Sequence, residues 1–145
     1  MRYILIDFAN MFFRARHMAA RGADDWTKLG MSVHTVIASA NKVARDFGAD
    51  HVVFCLEGRS WRKDFYQPYK RNRKEARDAL TDAEQEEDRM FFEAFDDVSK
   101  FFREKTATSV IRCATAEADD IIARFIALHP DDEHIIVSSD SDFYQ

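Results

Sequence analysis

The sequence predicts an α/β fold, a mainly parallel central sheet flanked by helices, and three observations lead there. Short, largely apolar runs of strand length recur along the chain, as strands buried on both faces require. Segments with apolar residues at helical spacing separate them, and strands alternating with helices make a parallel sheet. Each apolar run is followed by a carboxylate, and in such sheets ligands gather outside the carboxyl ends of the strands. These carboxylates are Asp7, Glu57, the cluster Glu117, Asp119 and Asp120, and the pair Asp140 and Asp142.

The first strand is Tyr3-Ile4-Leu5-Ile6, ending in Asp7. From Val33 to Phe47, the residues Val33, Val36, Ile37, Ala40, Val43, Ala44 and Phe47 fall at helical spacing, and Gly48 supplies a C-terminal stop. His51 to Leu56 is a second strand running into Glu57. Thr81 and Glu84 have the spacing of a capping box. Downstream, Phe91, Phe95, Val98 and Phe102 mark the apolar face of a long helix ending near Lys105. Its acidic start suits the positive end of the helix dipole. Ser109 to Cys113 is a third strand, Ala118 to Leu128 a helix stopped before Pro130, and Glu133 to Val137 a fourth strand. There is no internal repeat and no low-complexity linker.

At 145 residues, 46% hydrophobic and 32% charged, the chain suits one globular domain with its own core. The formal net charge of −5 argues against a protein that simply coats DNA. That average hides a sharp polarity. Arg59 to Arg77 carries eight basic residues against two acids, a balance of +6, and Asp78 to Asp97 carries nine acids against Arg89, a balance of −8. Cys55 and Cys113 both fall in apolar strand-like runs, where buried thiols are expected and neither a disulfide scaffold nor a zinc site is supported. The apolar N-terminus is interrupted by Asp7 and has no cleavage pattern, so no signal peptide or membrane span is expected. A cytoplasmic location is expected.

Acids converging at one sheet edge repel one another and resist desolvation, so a fold that gathers them normally does so around divalent cations. Oxygen ligands without histidine or cysteine favour Mg²⁺ or Mn²⁺. Two such ions roughly 3.5–4 Å apart suit in-line phosphoryl displacement with no protein nucleophile. Asp140 and Asp142, two apart on an extended end, face the same way, although Asp-Ser-Asp alone reads equally as a turn. Within one helix, Glu117 and Asp120 share a face and Asp119 points away; a Glu117 lying just before the first turn relaxes that conflict. The same triplet also reads as an ordinary acidic helix start. Asp7 alone reads as a helix N-cap, and Glu57 alone as a solvated loop acid. The basic stretch offers cations for phosphates and aromatic faces for unpaired bases, with Trp61 and Phe65 expected to be packing anchors. Lys70 and Arg73 are the expected contacts of the scissile phosphate. Metals beside a phosphate-binding segment imply phosphodiester cleavage.

The motifs LIDFANMFFR, WRKDF followed by PYKRNRKEAR, EADD and SSDSDF run in order along nearly the whole chain. Together they resemble the 5′ nuclease superfamily of flap endonucleases and 5′-to-3′ exonucleases, nearest its bacteriophage ribonuclease H branch. The resemblance implies a PIN-like catalytic domain over residues 1–145, with a helical arch or clamp at about 58–80 beside two Mg²⁺ ions, which Mn²⁺ could replace. It implies metal ligation, direct or through water, by Asp7, Glu57, Glu117, Asp119, Asp120, Asp140 and Asp142. It implies phosphate contact by Lys70 and Arg73, base stacking by Tyr69, and DNA contact by Arg14. Arg59, Arg62, Lys63, Arg71 and Lys74 join the expected nucleic-acid surface through the basic stretch. The implied substrates are DNA with 5′ flaps or 5′ ends and RNA–DNA primers, with a replication protein or a further C-terminal region as partner. Glu57 stands where the family usually has Asp, and Phe8 where Gly is commoner. The family's helix-hairpin-helix does not occur within these residues, so either a fragment of a longer nuclease or a short form completed by another chain is expected, the fragment being favoured. The rival readings are a noncatalytic nucleic-acid-binding module and a small PIN-type ribonuclease.

Overall fold

The computed structural model describes residues 1–19, 24–58 and 81–138. Its elements are β1 (Arg2–Asp7), α1 (Phe8–Met18), α2 (Asp25–Asp46), β2 (His51–Leu56), α3 (Asp82–Lys105), β3 (Ser109–Arg112), α4 (Ala118–Leu128) and β4 (Glu133–Val137). All pairings in the four-stranded sheet are parallel, in the order β3-β2-β1-β4, so the most apolar run lies at the centre. The expected α/β architecture is the observed one.

The alternation of strand side chains divides the core. Ile4, Ile6, Phe54 and Leu56 face α1, α2 and α3, where they pack with Phe8, Phe12, Val36, Phe91 and Phe95. Leu5, Val53 and Cys55 face the other way and meet Ala118, Ile121 and Ile122 of α4. The larger core is strongly aromatic. Phe8 stacks on Phe54 at 4.6 Å between centroids and on Phe95 at 5.2 Å, and Phe12 meets Phe95 edge-on at 5.5 Å. Buried rings of this size dominate packing energy, and truncating one to Ala costs about 3–5 kcal/mol.

Two helix boundaries follow the sequence closely. The Thr81 hydroxyl accepts from the Glu84 amide at 3.2 Å while the Glu84 carboxylate accepts from the Thr81 amide at 3.3 Å, closing the expected capping box. At the end of α2, Gly48 takes φ +59°, with Gly48 N–H donating to Arg45 and Ala49 N–H to Ala44; a side chain would be strained in that conformation. Among the described residues, no helix is long and apolar enough to cross a membrane.

Three features depart from the sequence reading. Helix α1 follows β1 with no intervening loop, and α2 starts at Asp25, eight residues before the expected Val33. The first turns of α2 bury Ser32, whose hydroxyl donates to the Lys28 carbonyl, and expose Trp26, so the apolar period is absent there. Cys113 is the third: β3 ends at Arg112, the chain turns as Ala116 N–H donates to the Cys113 carbonyl, and the thiol is exposed rather than buried.

Candidate metal centre

The acids of the carboxyl edge are placed by three different elements. Asp7 ends β1 and is the N-cap of α1, as its isolated reading anticipated; its Oδ1 accepts from Asn10 N–H at 3.3 Å. Its Oδ2 accepts from the Ser138 hydroxyl, also at 3.3 Å, so the residue following β4 reaches the end of β1. Asp7 is only 6% exposed. A carboxylate at that depth requires hydrogen bonds or a cation to remain charged.

Glu117 is the N-cap of α4, one residue before the first turn, which is the placement that removes the geometric conflict within the triplet. Asp120 reaches back to accept from Glu117 N–H at 3.1 Å, and Asp119 Oδ1 accepts from Asp120 N–H at 3.0 Å. One ligand oxygen from each of Glu117, Asp119 and Asp120 lies within 4.8 Å of the other two. Glu117 is 3% exposed. The positive end of the α4 dipole helps hold this charge density, so the three acids are at once an acidic helix start and a close group.

The donor set fits a small hard cation. Oxygens bound to one Mg²⁺ at 2.0–2.1 Å are at most about 4.2 Å apart, so a 4.8 Å spread needs only a modest side-chain adjustment or one bridging water. Asp7 and Glu57 are not in the three-acid group. Glu57 directly follows β2 and is exposed. It is nonetheless tied to the α4 loop through its neighbour. Gly58 N–H donates to the Ala116 carbonyl at 2.8 Å, and Ala116 precedes Glu117.

Two positioning residues escaped the sequence reading. A Cβ on Gly58 would lie 1.9 Å from the Cys113 carbonyl oxygen and 2.9 Å from that of Ala116, so only glycine permits this approach. A glycine directly after a strand-terminal acid, in a chain with four glycines, was the available signal. Ser138 offered none beyond its place after β4.

Cys55 pairs in register with Asp7, and burial, followed by the Asp7 charge, pushes its thiol up to about 12. It stays protonated, consistent with an all-oxygen site. Arg14 is exposed and lines a groove of about 310 Å³ that also includes Asn10 and Ser138, both hydrogen-bonded to Asp7. Asp140, Asp142, Arg59, Arg62, Lys63, Tyr69, Lys70, Arg71, Arg73 and Lys74 lie outside the described residues, as does the arch expected at about 58–80 apart from Gly58.

A parallel α/β sheet with buried acids at its carboxyl edge defines a class of domain built to present a polar centre there. The chain belongs to the 5′-3′ exonuclease N-terminal, resolvase-like domain family, whose model matches residues 2–145. No curated protein matches it. Among solved structures, it is similar to a bacteriophage T5 protein co-crystallised with metal ions, with a TM-score of 0.76 and 24% identity over 99% of this chain and 50% of that one. The bacteriophage T5 flap endonuclease in a pseudo-enzyme–product complex with DNA and metal ions gives the same values. The T5 5′-exonuclease with bound zinc gives a TM-score of 0.78 and 23% identity over 99% of this chain and 51% of that one. The chain thus spans about half the length of the structures it matches. At these identities the likeness establishes the fold.

Proposed function

We propose that the chain is the N-terminal catalytic part of a divalent-metal-dependent, structure-selective 5′ nuclease. It hydrolyses phosphodiesters of DNA, or of RNA–DNA primers, near junctions of single-stranded and duplex nucleic acid. The observation that carries this reading is the gathering of Glu117, Asp119 and Asp120 within 4.8 Å at the sheet edge that also bears Asp7, in a chain of this exonuclease family. The T5 flap endonuclease crystallised with DNA and metal ions supports it by analogy.

Asp7, Glu117, Asp119 and Asp120 would hold the metal, with Glu57, Asp140 and Asp142 completing the set directly or through water. Bound Mg²⁺ or Mn²⁺, in a pair, supplies an activated water and stabilises the leaving oxygen. The chain's own contribution is placement. The Gly58–Ala116 hydrogen bond fixes the β2 end against the α4 loop, and Ser138 with Asn10 orients the Asp7 carboxylate. Lys70 and Arg73 would meet the scissile phosphate, and Tyr69 would stack on the displaced base. Arg14, Arg59, Arg62, Lys63, Arg71 and Lys74 would grip the strand. Residues 1–145 would form a single domain with the basic arch at about 58–80, continued by a duplex-holding region in the longer protein.

The test is a 5′-labelled flap substrate incubated with the full-length encoded protein and Mg²⁺ or Mn²⁺. Cutting near the junction, abolished by chelation and by Asp119→Asn while binding in Ca²⁺ persists, is the expected result. Binding without any cutting would replace this reading with the noncatalytic module.

A further inference from the structure

A second cavity, of about 400 Å³, opens between α3 and the edge strand β3, lined by Leu56, Asp96, Lys100, Arg103, Val110 and Arg112. Its position is informative. Leu56 directly precedes Glu57 and pairs in register with Arg112, so the cavity adjoins the carboxyl edge that carries the acids. Among the described residues, three cations face it against a single acid, in a chain whose overall charge is −5.

These cations are weakly neutralised. Arg112 approaches Asp96 only to 3.7 Å, and Arg103 approaches its neighbour Glu104 only to 3.8 Å, both beyond hydrogen-bond distance. Elsewhere the contacts are closer, as in Arg16–Asp88 at 2.6 Å and Lys28–Glu87 at 2.8 Å. Complementing the negative end of the α3 dipole accounts for Arg103, which lies in the last turn, but not for Lys100, which lies before it. It does not account for Arg112, which comes from a strand. Two elements converging positive charge on one concavity beside an acidic centre is the pattern of a phosphate-binding subsite.

We infer that Lys100, Arg103 and Arg112 form a binding site for backbone phosphates of nucleic acid that extends from the proposed metal centre across the β3 edge. The inference rests on the nuclease reading and deepens it by naming a second contact track outside the basic stretch 59–77. The contacts are sequence-independent and electrostatic. They would bind ground and transition states equally, raising KM when lost and leaving kcat in place.

The experiment measures binding of a flap duplex, a plain duplex and a single strand in Ca²⁺, at several salt concentrations, together with cleavage in Mg²⁺. The proteins are wild type, Lys100→Ala/Arg103→Ala/Arg112→Ala, the charge-preserving Lys100→Arg/Arg103→Lys/Arg112→Lys, and Asp96→Asn. Each duplex phosphate contact contributes about 0.9 to the slope of log affinity against log salt, so the triple alanine variant should lose about 2–3 from that slope. Its affinity should fall about tenfold or more at low salt, with KM raised and kcat retained. The charge-preserving variant should bind as wild type does, and Asp96→Asn should bind a few-fold more tightly, on electrostatic grounds. Loss confined to the duplex or to the single strand would identify which strand runs over β3. Cleavage by the wild type, with unchanged slope, affinity and KM in a folded triple alanine variant, would overturn this site and leave the nuclease reading standing. Failure of the wild type to bind any of the three substrates would overturn both.

Discussion

The two edges of the same parallel sheet treat acidic residues in opposite ways. At the amino edge two acids meet cations at the start of the chain: the Met1 ammonium lies 3.0 Å from Asp132, and Arg2 Nε lies 2.5 Å from Glu133. Arg2 also donates through Nη1 to the Phe47 carbonyl, and its amide donates to Asp50, binding the sheet to the end of α2. At the carboxyl edge, like charges are brought together instead, three carboxylates within 4.8 Å and a buried Asp7 on the central strand. One edge spends acids on cohesion. The other gathers like charges where a bound cation would fit, and the contrast is between acids used for cohesion and acids proposed to hold a metal.

The largest effect expected is from Asp119→Asn, which keeps an acceptor for the Asp120 amide and removes one charge. Changing even the outer partners of metal ligands typically costs 10–100-fold, so loss of a proposed ligand should lower flap cleavage by at least about 100-fold. Stability should move the other way. Two unit charges about 4.8 Å apart repel by about 1–3.5 kcal/mol between water-like and surface-like screening, which exceeds the 0.3–1 kcal/mol that an acid gains from a helix N-terminus. Without divalent metal the variant should melt at or above the wild-type temperature. Adding Mg²⁺ should raise the wild-type Tm and leave the variant nearly unmoved. A variant that melts lower in chelator would place Asp119 with the cohesive acids of the amino edge.

Gly58→Ala comes next, because it strikes the joint between the β2 end and the α4 loop. A Cβ 1.9 Å from a carbonyl oxygen forces backbone apart, at or above the 1–3 kcal/mol typical of overpacking. Thermal melting should show that loss, and cleavage should fall further than stability alone accounts for, since Glu57 and Glu117 part company. Equal activity in the folded fraction would show that the two acids need not be held in register.

How much of this was legible beforehand divides along the same lines. His51–Leu56, Ala118–Leu128 and Glu133–Val137 match the sequence reading residue for residue because each is a clean run bounded by turn-forming or capping residues. The edge carrying the acids was legible for the same reason: a strand that ends in a carboxylate announces where the carboxylate goes. Helix α1 was not, since Asp7 both ends β1 and caps α1 and leaves no turn signal between them. Cys113 misled because Ser109 to Cys113 continues the apolar alternation one residue past the last ladder bond. Ser138 acts through a contact distant in sequence, which composition and spacing do not encode, and Gly58 gave only the weak signal of a glycine after a strand-terminal acid.

A smaller effect is expected at the cluster of Arg16, Lys28 and Glu87, where α1, α2 and α3 meet. Lys28, through its hydrogen bond, and then Arg16 hold the Glu87 carboxyl below its ordinary 4.5. A depressed carboxyl adds stability that is full above its unfolded value and fades as pH falls through its folded value. Glu87→Gln should therefore lower stability at pH 7 by no more than about 1 kcal/mol, and its effect should shrink as pH is lowered through the folded carboxyl's range, read by denaturant melts across that range.

The smallest effect is at the amino edge, and its sign completes the contrast. Asp132, chiefly by hydrogen bonding, raises the Met1 ammonium above its ordinary 8.0, while Arg2 lowers Glu133. A raised ammonium adds stability that is present below 8.0 and disappears as pH rises through the folded value, whereas the depressed Glu133 loses its share on the acid side. Asp132→Asn should therefore erase a shallow alkaline decline in Tm, and leave flap cleavage at its wild-type rate at neutral pH. Both groups are open to solvent, so the change should be small beside that of Gly58→Ala. A fall in cleavage with Asp132→Asn would mean that the amino edge communicates with the acids across the sheet, and the division between cohesive and functional carboxylates would fail.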